Sequence, residues 1–205
     1  MALKTTPIAE EARIAVALLL LIALGALIFS TVLCSIPFCL LALLLVYLYR
    51  DPARKIPASP LGVVSPIDGQ VTLIERTTDT LLEREALLIV IVMSPLGPYV
   101  VRSPTEGKVM RQWRRSSVQG YGQWVQTDEQ DDVLFVMQPR ALSGRLVCRV
   151  SAGERIGQGA RCGILRFGKE VSLYLPSNSV VNVKKGDRVL AGEDILACLV
   201  HSENY

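Results

Sequence analysis

The chain has 205 residues, half of them hydrophobic, with a net charge of +3, five cysteines and one histidine. So small a positive excess argues against a nucleic-acid partner. An odd cysteine count (Cys34, Cys39, Cys148, Cys162, Cys198) without any C-x-x-C pair argues against a disulfide framework and against a metal site. His201 stands in a polar tail, a poor position for catalysis.

Residues 1–13 form an N-terminal tail, followed by a run from Ile14 to Tyr49 without a charged residue. As one helix that run would be about 54 Å long at ~1.5 Å per residue, against a bilayer core of about 30 Å. The length predicts a transmembrane helical hairpin over 14–49, with its turn between Ser30 and Pro37, in preference to one tilted span. A cleaved signal segment fits less well, because its apolar region spans roughly 7–15 residues before a small-residue cleavage site. Lys4 and Arg13 flank the run on one side, and Arg50, Arg54 and Lys55 on the other. Basic flanks prefer the cytoplasmic side. Both ends, and the domain that follows, are therefore expected on the cytoplasmic side of the inner membrane.

Pro52, Pro57 and Pro60 make 50–61 an extended linker. From Gly62 onward the apolar runs are short, β-branched and separated by Gly, Pro, Asp and Ser. They predict an all-β domain over 62–205, with strands at 63–64, 71–73, 87–93, 133–137, 146–150, 171–175, 180–183 and 195–200. At most a short helix is expected between Thr80 and Ala86. Two internal echoes stand out. Ser65-Pro66-Ile67-Asp68-Gly69-Gln70-Val71 returns as Ser103-Pro104-Thr105-Glu106-Gly107-Lys108-Val109, and Gly153–Gly159 returns as Gly186–Gly192. Such units resemble the half-repeats of lipoyl and biotinyl carrier domains, which implies a barrel-sandwich hybrid. Carrier function does not follow, since Lys169 lacks the flanking residues of a modified lysine. Gly157, Gly159 and Gly163 are wrongly spaced for a dinucleotide loop.

Five further segments appear in a fixed order. They are Val64–Gly69, Val92–Leu96 with Val100, Arg102 and Pro104, Gln126–Gln130, Leu165-Arg166-Phe167-Gly168, and Tyr174-Leu175-Pro176, and Tyr49-Arg50-Asp51-Pro52 with Arg54 precedes them. Together they resemble the phosphatidylserine decarboxylase family, in its compact membrane-anchored branch. Gln126–Gln130 falls where that family has an N-E-R-N loop. The resemblance implies self-cleavage at a Gly-Ser bond, an N-terminal pyruvoyl group, and decarboxylation of phosphatidylserine to phosphatidylethanolamine. A pyruvoyl carbonyl condenses with the substrate amine and accepts the electrons released as the carboxylate departs.

The chain departs from that pattern at its centre. Lys169 follows Gly168 where the family has serine, Tyr99 stands for the histidine, and Gly97 for the aspartate before it. Asp68 retains the aspartate of S-P-x-D-G. Lysine has no hydroxyl for the acyl shift, and a phenol with a pKa of about 10 is a poor base near neutral pH. Asp68, Tyr99, Gly168 and Lys169 are thus read as vestigial positions, with Ser94, Arg102, Arg166 and Phe167 as substrate-binding positions implied by the family. Cleavage shifted to Ser172, or Schiff-base chemistry by Lys169 itself, is weaker than Lys169 filling the old cavity beside Glu170 or Asp68. The reading is a degenerate, pyruvoyl-free family member that binds membrane phospholipid or a partner protein. The alternatives are an active decarboxylase and a regulatory subunit of an active paralogue, as homo-oligomer or paralogue complex. Arg111-Gln112-Trp113-Arg114-Arg115 reads as a solvated strand edge ahead of an interfacial segment.

Overall fold

A computed structural model describes residues 10–29, 32–79, 81–115, 120–139, 146–148, 150–166 and 168–200. The chain divides into two compact units, Met1–Ala53 and Arg54–Tyr205.

The first unit holds two helices, α1 (Glu10–Phe29) and α2 (Val32–Leu48). Leucine and alanine, both strong helix formers, dominate each of them. Ala23 and Ala42 are buried. Among the described residues no helix is long and apolar enough to cross a membrane, which overturns the expected transmembrane hairpin. The expected turn falls in part on Ser30-Thr31, which lie outside the described residues. The first turn of α1 is taken up by Glu10, Glu11 and Arg13. The 17 residues of α2 reach about 26 Å, short of the roughly 30 Å of a bilayer core. Pro37, expected in the turn, lies inside α2.

The second unit is built of fourteen strands among the described residues. These are β1 (Gly62–Val64), β2 (Gly69–Thr78), β3 (Glu85–Met93), β4 (Val100–Arg102), β5 (Gly107–Arg115), β6 (Gly120–Gln126), β7 (Asp132–Pro139), β8 (Leu146–Cys148), β9 (Arg155–Ile156), β10 (Arg161–Leu165), β11 (Gly168–Pro176), β12 (Val180–Val181), β13 (Arg188–Val189) and β14 (Ile195–Cys198). Eight of them form one sheet in the order β13-β2-β3-β11-β7-β6-β5-β9, and two three-stranded sheets, β1-β14-β12 and β4-β10-β8, complete the unit. Every pairing is antiparallel. The expected barrel-sandwich hybrid is corrected, because long central strands run through one shared sheet rather than stopping as two small ones. Thr80–Ala86 forms no helix among its described residues. Asp79 N instead donates to Arg84 O, closing a turn into β3.

Two segments that lead into distant strands of the sheet come together. Val64 N donates to Pro104 O and Arg102 N to Pro66 O, both at 2.8 Å. These bonds join the chain ahead of β2 to the chain ahead of β5, near opposite edges of the sheet. Phe135, Ile89, Ile91, Met137, Leu173 and Leu175 fill the space inside, each essentially without exposure. Full burial of each such side chain contributes about 1.5–3 kcal/mol. Trp113 lies against Gly122, so closely that a Cβ there would collide with its indole ring. That contact makes Trp113 a packing residue.

Candidate functional site

The turn Ser65–Gly69 is set by its own side chains. Ser65 Oγ, fully buried, donates to Ile67 O at 2.7 Å. A Cβ on Gly69 would collide with Val92 O, so only glycine lets β2 close on β3 here. Asp68 is thereby held at the end of the sheet with 8% exposure. A buried carboxylate needs partners for both oxygens, and both have them. Ala191 N donates to Oδ1 at 2.7 Å, and Arg54 Nη2 donates to Oδ2 at 2.6 Å. Arg54 Nη1 also lies 3.7 Å from Glu193 Oε2, and Lys55 N donates to Glu193 Oε1 at 3.0 Å. This arrangement ties the extended segment at Arg54-Lys55 onto the turn.

The adjoining turn belongs to the end of β3. Ser94 N donates to Asp68 O, and Gly97 N to Ser94 O, each at 3.0 Å. Gly97 sits over the aspartate, and a Cβ there would lie 3.5 Å from Asp68 Cβ and 3.1 Å from Ser94 O. The family's aspartate in that position would press a second carboxylate onto Asp68. Tyr99 is buried, and its carbonyl accepts from Leu165 N at 2.8 Å. That bond continues the β4–β10 pairing of Val100 with Ile164 and draws the chain towards Gly168.

Gly168 opens β11, where a Cβ would collide with Met93 Sδ and Leu165. Lys169 falls in a register shift between Gly168 and Glu170, so it is the extra residue of a β-bulge facing β7. Its side chain is 53% exposed, and its ammonium lies 3.5 Å from Glu170 Oε1. Glu170 then resumes the ladder opposite Val92 and Gln138.

The structure therefore gathers Asp68, Ser94, Gly97, Tyr99, Gly168 and Lys169 at one end of the adjacent strands β2, β3 and β11. Lys169 pairs with Glu170 and not with Asp68. Arg102 is buried, but its Nη1 donates to Gly159 O at 3.0 Å, towards the second pair of repeats. Arg166 is half-buried in the turn between β10 and β11. Phe167 lies outside the described residues. Arg54, Ala191 and Glu193 were not expected at this site. The one sequence signal for Arg54 was its place in the R-D-P-x-R segment, together with the need of a buried aspartate for a cation.

A pyruvoyl group does not fit these residues. The position that would carry it holds a solvent-facing ammonium on a bulge, without a hydroxyl. The aspartate that remains is occupied at both oxygens, and the histidine position holds a buried phenol. Residue 169 offers no hydroxyl for the acyl shift onto the preceding carbonyl.

The family model for phosphatidylserine decarboxylase matches residues 41–197. Among curated proteins, the chain is 34% identical over 176 residues to a phosphatidylserine decarboxylase proenzyme of Nitrosomonas europaea, covering 80% of this chain and 82% of the relative. It is 34% identical over 176 residues to one of Aromatoleum aromaticum, with the same coverage. A third, from Desulfotalea psychrophila, is 34% identical over 168 residues, covering 75% of this chain and 78% of the relative. The solved structure of glucose permease IIA from Mycoplasma capricolum is similar at a TM-score of 0.45 and 14% identity, over 67% of this chain and 94% of that one. That likeness is too distant to carry fold or function.

Proposed function

We propose that this chain, which belongs to the phosphatidylserine decarboxylase family, stays uncut between Gly168 and Lys169 and holds a phospholipid headgroup at the former reaction site without decarboxylating it. The family is pyruvoyl-dependent, and the pyruvoyl group supplies the electron sink for loss of the carboxylate. The observation that carries the reading is Lys169 itself, an ammonium on a bulge in the position where the family's serine must attack its preceding carbonyl. Tyr99 and Gly97 support it, because a change confined to residue 169 would leave the rest of the apparatus standing. Asp68 supports it in another way. Its carboxylate closes the domain around Arg54, a structural role that explains why it persists without catalysis.

Incubation of the full chain with phosphatidylserine vesicles tests this directly. No phosphatidylethanolamine above a protein-free control is expected, while the chain sediments with phospholipid vesicles. Sustained production of phosphatidylethanolamine would overturn the non-catalytic reading. Failure to sediment with any phospholipid would overturn the binding reading.

A further inference from the structure

The two oxygens of Asp68 are held by two different kinds of chain. Oδ1 accepts from Ala191 N, in a turn fastened to the domain by its own bonds. There Gly192 N donates to Ser65 O at 2.8 Å and Leu190 N to Asp194 Oδ2 at 2.7 Å. Oδ2 accepts from Arg54, in an extended segment without such fastening. Among the described residues no backbone-to-backbone hydrogen bond holds Arg54, Lys55 or Ile56. Every attachment of this segment runs through a side chain. Arg54 reaches Asp68 and Glu193, Lys55 N donates to Glu193 Oε1, and Ile56 lies over Gly159, where a Cβ would come within 2.8 Å of Ile56 Cγ1. The backbone is tied down again at Ser59 and Gly62, whose carbonyls both accept from Gln158 Nε2.

Such a segment opens before the sheet does. Chain with few buried apolar contacts and an exposed backbone has a low local unfolding free energy. Ile56 is 45% exposed, and Lys55 is exposed as well. Arg54 Nε is buried without a hydrogen-bond partner, so docking desolvates a donor that it does not satisfy. Arg54 is also the first residue of the second unit, and the first strand begins only at Gly62. Release of the segment therefore takes no strand out of any sheet.

We propose that Arg54–Ile56 is a releasable strap that masks Asp68. Docked, its guanidinium occupies Oδ2 and closes the carboxylate to any ligand. Released, it leaves Asp68 on its turn, still bonded to Ala191 N, with Oδ2 open to a donor or cation entering the site. The strap goes beyond the phospholipid-holding reading and does not depend on it.

Two readouts on the full chain under native conditions test this. Carbodiimide coupling to glycine ethyl ester labels accessible carboxylates, and trypsin cuts after Lys55 in proportion to the open strap. Two internal references accompany Asp68. Glu106 is exposed, whereas Asp79, at the opposite end of β2, is 2% exposed and accepts from Leu81 N at 2.9 Å. The unsubstituted chain is expected to be labelled at Glu106 and at neither Asp68 nor Asp79. Arg54→Ala is expected to expose Asp68 to label and to speed the cut after Lys55 about tenfold, in step with the open population, while Asp79 stays protected. Glu193→Ala removes two of the ties and keeps the bond from Arg54 to Asp68, so it is expected to raise both readouts by less. Labelling of Asp68 in the unsubstituted chain as fast as Glu106 would show that nothing masks it and overturn the strap. An Arg54→Ala chain with Asp68 still unlabelled and Lys55 still uncut would overturn the role of Arg54. Labelling of Asp79 together with Asp68 would show unfolding of the β domain in place of a local release, and would overturn the proposal too. None of these outcomes bears on phospholipid binding, which vesicle sedimentation decides separately.

Discussion

The turns Ser65–Val71 and Ser103–Val109 share one hydrogen-bond pattern and differ in charge. Ser65 Oγ bonds Ile67 O, and Ser103 Oγ bonds Thr105 O, both at 2.7 Å. Val71 N donates to Asp187 O, and Val109 N to Glu154 O, both at 2.9 Å. Gly69 pairs with Val189, and Gly107 with Ile156. Yet Asp68 is buried against Arg54, whereas its counterpart Glu106 is exposed. The nearby cation of the second turn, Arg155, is itself exposed and donates to Asp128 at 2.7 Å, and that bond pushes its pKa up. The scaffold is duplicated, and only one copy carries a buried charge. Burial of Asp68 is thus a property of the site and not of the repeat.

Removing each acidic side chain should separate the two turns most. Asp68→Ala leaves Arg54 with only the longer ion pair to Glu193, at 3.7 Å, after loss of a pair whose side chains are 12% and 11% exposed, and is expected to cost about 3 kcal/mol in chemical unfolding. Glu106→Ala is expected to stay within about 0.5 kcal/mol. Equal losses would end the distinction. Next come the glycines. A Cβ on Gly69 or Gly107 meets the carbonyl oxygen of Val92 or Gln126 respectively, so either alanine variant is expected to cost about 2–3 kcal/mol through forced separation of strands. Gly107→Ala should cost the more, because its φ of +151° is strained for any side chain.

Much of this scaffold was legible in the chain itself, for a physical reason. The S-P-x-x-G-x-V echo places a hydroxyl, a proline and a glycine where one turn needs all three. β3 and β11 are apolar enough to declare themselves as strands. β5 and β6 are not, since Arg111, Gln112, Arg114, Gly120 and Gly122 mask the period of strands that are held by Trp113 packing on Gly122. The helices were misjudged as spans, because an uncharged run gives total length and not the length of each helix, and α2 has only 17 residues. At the site, Lys169, Tyr99 and Gly97 could be read as departures from a pattern. The Arg54–Asp68 clamp could not, because a contact between residues 14 positions apart depends on how the linker lies across the sheet end.

Smaller effects sharpen the same comparison. Ser65→Ala and Ser103→Ala each remove one buried hydroxyl bond, and each is expected to cost about 1 kcal/mol. Unequal losses would show that the two hydroxyl bonds, equal in length, are not equal in strength. Lys169→Ser on its own is expected to produce no cleavage, because Tyr99 remains in the histidine position and Asp68 remains bonded to Arg54. Cleavage of that variant would show that the rest of the apparatus still works.

The most direct measurement is the intact mass of the full chain purified under native conditions. A single uncut species at 22.4 kDa is expected. Two fragments divided after Gly168, the second with a blocked N-terminus at residue 169, would contradict the assignment of this chain as a pyruvoyl-free member of its family.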